Sequence, residues 1–158
     1  MKLFLSAMAL AVALPASAQQ FASAGDYRTC SPAQTNAGLE AVRQACGTLT
    51  KPVISAQFGS YDELQAALAQ RTTFRQQVDD YGDCVTEFIN SFRRPGADAN
   101  STKPDEAACA HAWAQDAVTQ TVMEVGRACI DYADRSMMSS DLVTYDGACY
   151  PDFGSDRG

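Results

Sequence analysis

The stretch Ser60–Arg94, SYDELQAALAQRTTFRQQVDDYGDCVTEFINSFRR, constrains the fold more than any other part of the chain. Tyr61, Leu64, Leu68, Phe74, Val78, Tyr81, Val85, Phe88 and Phe92 recur in steps of three or four once Arg71 fills the gap after Leu68. That period belongs to a helix, since a strand would alternate every second residue. Ser60 and Glu63 have the spacing of a capping box, and Pro95-Gly96 marks a stop. A helix of roughly 30 residues is about 45 Å long. Its apolar stripe needs cover along that whole length. Gly82 is the weak point, where a bend could enter.

Two further segments can supply the cover. Ser31-Pro32-Ala33-Gln34 combines a capping serine, a proline suited to the first helical position and a glutamine that completes a capping box. Leu39, Val42, Cys46 and Leu49 then share a face, with Gly38 weakening the start and leaving Asn36 as an alternative one. From Pro104 to about Met137 the chain is alanine-rich and has no internal proline. Trp113, Ala117, Val118, Val122, Val125, Cys129 and Tyr132 mark its apolar side. Asp116, Gln120, Glu124, Arg127, Asp131 and Arg135 mark its wet side. Gly126 reads as a site of close helix packing. Pro52–Gly59, with Val53, Ile54 and Phe58, reads as a packed loop, and the composition after Ser139 is that of a loop. The expected fold is all-α: a three-helix, up-down-up bundle, with room for a short fourth helix in the connector or the tail.

The N-terminus predicts export. Lys2, the apolar run Leu3–Leu14, Pro15 and Ala16-Ser17-Ala18 form a secretory signal with cleavage after Ala18. The expected organisation is a signal peptide over residues 1–18 and one helical domain over 19–158, in the periplasm or secreted. The formal net charge is −7, one unit more negative once Lys2 leaves with the signal. A surface of that sign repels phosphate backbones and anionic headgroups, which argues against nucleic-acid partners. No further apolar run has membrane length, so membrane insertion is not expected.

The six cysteines, Cys30, Cys46, Cys84, Cys109, Cys129 and Cys149, all follow the signal. An even set in an exported chain predicts three disulfides. No C-x-x-C pair is present and His111 is the one histidine, so neither a metal centre nor a cofactor is expected. An antiparallel hairpin turning near residue 98 brings Cys84 and Cys109 to one level. Reflection through the first connector sets Cys46 against Cys129, which leaves Cys30 for Cys149. The predicted pairing is therefore 84–109, 46–129 and 30–149. Its main rival contains 30–46 and 129–149.

Candidate functional residues are few. Asp79, Asp83 and Glu87 fall at i, i+4 and i+8 with Asp80 beside them, a like-charge series that weakens a helix unless something offsets it. A basic partner, a divalent cation or Arg75 one turn upstream could supply that offset, and a protein partner is the candidate for Asp79, Asp80, Asp83 and Glu87. His111 has Asp105 and Glu106 as carboxylate neighbours but lacks a nucleophile in a recognisable elbow. Arg93, Arg94 and Lys103 could form a small basic tip, although Arg93 and Arg94 also suit a helix C-terminus. Met137-Met138 reads as helix-end packing. The leading expectation is a non-enzymatic protein acting through protein–protein contact, as an inhibitor or envelope accessory factor. The alternative is a carrier of a small apolar ligand, with Phe74, Tyr81, Phe88, Phe92 and Trp113 around a cavity.

Overall fold

Helices form where the periodicity and the caps place them: α1 (Pro32–Cys46), α2 (Tyr61–Ser91) and α3 (Lys103–Met138). The structure is a computed structural model that describes residues 30–98 and 100–151. The expected export signal and its cleavage site lie outside the described residues. Among those residues there is no strand and no fourth helix. None of the three helices is long and apolar enough to cross a membrane.

The caps act as local stop and start signals. The Ser31 hydroxyl accepts from the Gln34 amide at 3.2 Å, and the Gln34 side chain accepts from the Ser31 amide at 2.9 Å. The helix therefore starts at Pro32, not at Asn36, and it ends at Gly47, whose φ of 79° favours glycine. At α2 the Ser60 hydroxyl accepts from the Glu63 amide, while the Glu63 carboxylate takes the amide of Gly59 at 2.7 Å. The box thus closes one residue upstream of the cap. The helix runs unbroken through Gly82 and stops at Ser91, short of the expected Arg94.

α3 is the spine, packing extensively on both α1 and α2, which touch each other far less. Its buried face is built of Ala107, Ala110, Ala114 and Ala117 near the hairpin. Small side chains there let both neighbours come close. Around them Val42, Phe74, Val78, Tyr81 and Val85 form one core cluster. A second cluster lies toward the other end, where Phe58, Leu64, Ala67, Val125, Ala128, Cys129 and Tyr132 meet.

That second cluster is covered by chain that is not helical. After α1 the connector descends beside α3. Lys51 reaches Gln120 and Glu124 at 3.1 and 2.8 Å, Gln57 reaches Asp131 at 3.2 Å, and Phe58 inserts fully. Val53 stays almost fully exposed, so only part of the connector's apolar centre enters the core. From the other side the tail folds back. Tyr132 donates to the Val143 carbonyl at 2.9 Å, and Arg71 donates to the Cys149 carbonyl at 2.6 Å. Arg71 occupies an inward position of the α2 pattern for that reason, and burial pushes its guanidinium pKa down. Gly126 likewise accommodates the Tyr150 ring of the tail, not a neighbouring helix.

The disulfides are 30–109, 46–84 and 129–149. All three predicted pairings are therefore corrected, and of the rival set only 129–149 is present. The level assigned to Cys84 and Cys109 holds, because Gly82 lies against His111 across the hairpin. Their angular phase does not. Two residues beyond Gly82 is about 200° around the helix, which turns Cys84 away from α3 and toward the end of α1. Cys109 turns toward Cys30 in the same way. The 46–129 pairing fails because the connector is an extended descent, not a tight turn, so α1 covers only the hairpin half. The 30–149 pairing fails because the tail returns to α3 and closes on Cys129.

Gly38 is the one helix glycine whose space is taken by backbone: a Cβ there would be driven into the Glu106 carbonyl. Helix propensity predicts that Gly38→Ala stabilises by up to about 1 kcal/mol. The close approach of α1 to α3 predicts the opposite sign, a loss of about 1–3 kcal/mol in urea unfolding. Peptide mapping without reduction should recover 30–109, 46–84 and 129–149. In the loop-entropy model, removing each pair costs about 4.5, 3.9 and 3.3 kcal/mol respectively, following loop separations of 79, 38 and 20 residues.

Candidate functional site

Asp79, Asp80, Asp83 and Glu87 are all exposed on α2. Val78, Tyr81 and Val85 fix which side of that helix faces the core. At about 100° per residue, Asp79, Asp83 and Glu87 fall on the opposite side, aimed straight outward. Their segment is held from two directions. The 46–84 disulfide ties it to α1, and Gly82 packs against the His111 ring of α3, with the ring Nε2 only 2.7 Å from where a Cβ would stand.

Among the described residues, Asp79, Asp83 and Glu87 make no ion pair or side-chain hydrogen bond, whereas Asp80 accepts from Gln76 at 3.0 Å. Three acids elsewhere differ in this respect. Glu40 pairs with Arg43, Glu124 with Lys51 and Asp131 with Arg135. Hydrogen bonds from Arg135 and then Gln57 hold the Asp131 carboxyl below its ordinary range. The α2 series is thus a row of negative charge left open to solvent.

Asp80 also borders an open groove of about 560 Å³, lined by Cys46, Thr48, Leu49, Gln77 and Tyr81. Tyr81 is largely buried beside it, and burial raises the phenol pKa. This groove was not legible in the sequence, because Thr48–Thr50 arrives beside α2 only through the fold.

The other candidates are dispersed. Phe74 and Tyr81 are buried in the hairpin cluster, with Phe88 and Trp113 packed against it. Phe92 stacks edge-on with Phe88 at 5.2 Å between ring centres. Tyr81 of α2 and Trp113 of α3 share one small groove of about 170 Å³ beside α1 and the start of the connector, which none of the other three aromatics lines. His111 approaches the Gln115 amide at 3.3 Å, and Glu106 accepts from Thr102 instead of orienting it. Arg93, Arg94 and Lys103 are exposed around the hairpin turn, with Arg93 donating to Asn90. Met137 and Met138 are 68% and 82% exposed, so they do not pack the end of α3. All six cysteines are oxidised. No group of three or more potential metal ligands occurs among the described residues.

No family model, curated protein or solved structure matches the chain.

Because Asp79, Asp83 and Glu87 have no ion pair among the described residues, their carboxylates repel one another. Asp83 stands between Asp79 and Glu87, so Asp83→Asn removes both i,i+4 repulsions. It should raise stability by a few tenths of a kcal/mol for each, measured as a higher urea midpoint with an unchanged slope. A midpoint that falls would show that Asp83 is held by a contact the row does not reveal.

Proposed function

We propose that this is an exported, non-enzymatic helical protein that acts by binding another protein through the carboxylate row Asp79, Asp80, Asp83 and Glu87. The observation that carries the reading is the row itself: outward-facing acids on a segment pinned by a disulfide and by the His111 contact. Holding charges in place before binding lowers the ordering cost of an interface and speeds encounter with a cationic surface. An inhibitor or an envelope accessory factor is the class of activity such a platform serves. Three disulfides suit an oxidising compartment, as the export reading requires.

Contact fits better than catalysis or carriage for two reasons. The groups most able to do covalent chemistry, the cysteines, are all held in disulfides. Of the aromatic side chains that would line a ligand cavity, Phe74 fills the core, Phe88 and Phe92 stack on each other, and Tyr81 and Trp113 border a small groove of about 170 Å³.

The test compares affinity capture by the wild-type protein with capture by Asp79→Asn/Asp83→Asn/Glu87→Gln and by Asp62→Asn/Asp116→Asn/Asp141→Asn. The two variants lose the same charge from different places. The expected result is a basic protein retained by the wild type and the second variant, lost by the first, and released as salt rises toward 1 M, where screening acts over about 3 Å. Equal recovery by all three would remove the row from the function.

A further inference from the structure

The lower half of α3 carries a second exposed face of different chemistry. Met123, Ile130 and Met137 are 40%, 45% and 68% exposed. They stand at i, i+7 and i+14, a straight apolar stripe about 21 Å long on the side of α3 away from the buried Val125, Ala128 and Tyr132, bordered at Gly126 by the Tyr150 ring. Arg127 and Asp134 lie between them, both exposed and in no ion pair among the described residues.

We infer that this stripe is a self-association surface, on which a second copy of the chain docks with its own α3 antiparallel. The stripe is symmetric about Ile130. A two-fold axis there sets Ile130 against Ile130 of the other copy and Met123 against Met137 in both directions. The same axis brings Arg127 of one copy beside Asp134 of the other, twice. The face is therefore complementary to itself in both shape period and charge, as an isologous dimer contact requires. Heptad spacing on both helices gives the shallow crossing of about 20° that lets the stripes stay in register.

Surrounding charge decides whether such contact is tolerable. Each chain has net charge −7, and two copies repel. Beside this stripe, however, Glu124 is paired with Lys51 and Asp131 with Arg135, and the remaining acid, Asp134, is matched in number by Arg127. The stripe is locally close to neutral, unlike the open row on α2, so a second acidic chain can approach here. Contact along one helix falls in the smaller interface class, below about 1,200 Å² in total. The dimer is accordingly reversible, with a dissociation constant on the order of micromolar.

Sedimentation equilibrium of the full disulfide-bonded protein, from about 1 μM to about 1 mM, reads this directly. The expected mass rises from one chain to two for the wild type. It stays at one chain for Ile130→Glu, which places like charges on the axis. Arg127→Glu and Asp134→Arg should each raise the dissociation constant about tenfold, since each converts two attractive contacts into repulsive ones. The double variant restores the attraction with the charges exchanged and should return to within about threefold of wild type. All three positions are exposed, and unchanged circular dichroism verifies that each variant is folded. A wild type that remains a single chain throughout overturns the inference. So does a dimer indifferent to Ile130→Glu, single reversals without effect, or a double variant no better than the singles.

Discussion

A mismatch in helix length governs this structure. α2 and α3 have 31 and 36 residues, and α1 has 15. At 1.5 Å per residue, α1 spans about 22 Å beside partners of about 46 and 54 Å. It can cover only half of the seam between them. The remaining half is covered by the connector before α2 and the tail after α3. Irregular chain brings backbone groups into a core without a helix to satisfy them, and each of those groups needs a partner. The structure answers with long side chains that reach from helix to loop. Arg135 donates to the Phe58 carbonyl at 2.7 Å, and Arg71 and Tyr132 do the same for Cys149 and Val143. Among the described residues no buried side-chain nitrogen or oxygen lacks a hydrogen bond.

The disulfides follow from the same mismatch. Two of them fasten α1, at Cys30 and Cys46, to the spine and to α2, and the third fastens the tail to α3. None joins α2 to α3. Those two long helices are held instead by continuous burial, from Leu64 and Tyr132 at one end to Val85 and Ala107 at the other. Covalent links thus go to the short or irregular elements, whose own buried area is smallest and whose conformational entropy is largest.

Surface chemistry divides along the same lines. On α2 the carboxylates face outward from a segment fixed on both flanks, and Asp79, Asp83 and Glu87 have no ion pair among the described residues. On the lower half of α3 the flanking acids are paired to the connector and to Arg135, so an apolar stripe emerges in a neutral setting. One face suits a cationic partner and the other suits a copy of itself. The connector is what makes them different, because Lys51 and Gln57 reach only the α3 side.

The helices were legible in the sequence because their signals are local. Ser31 with Gln34, Ser60 with Glu63 and the three-and-four spacing act within one or two turns, and the boundaries follow to within a few residues. Arg71 in an apolar row was a trace of the tail clamp, readable only once the tail was known to fold back. The acidic row was legible for the same reason as the helix that carries it, since its spacing and its exposure are both set by α2's own period. The disulfide partners were not, because pairing depends on the angle at which Cys84 and Cys109 leave their helices and on the path of the connector. Nothing local encodes that path. Whether residues 47–60 turn tightly or run extended beside α3 is decided by which buried surface remains uncovered. The groove beside Asp80 and the exposed stripe through Ile130 follow from the same packing. Local sequence is enough to set the three helices, the N-caps of α1 and α2 and the outward charge on α2. Which faces meet is set by packing across the whole fold, because a helix's period specifies an apolar side but not the neighbour that will cover it.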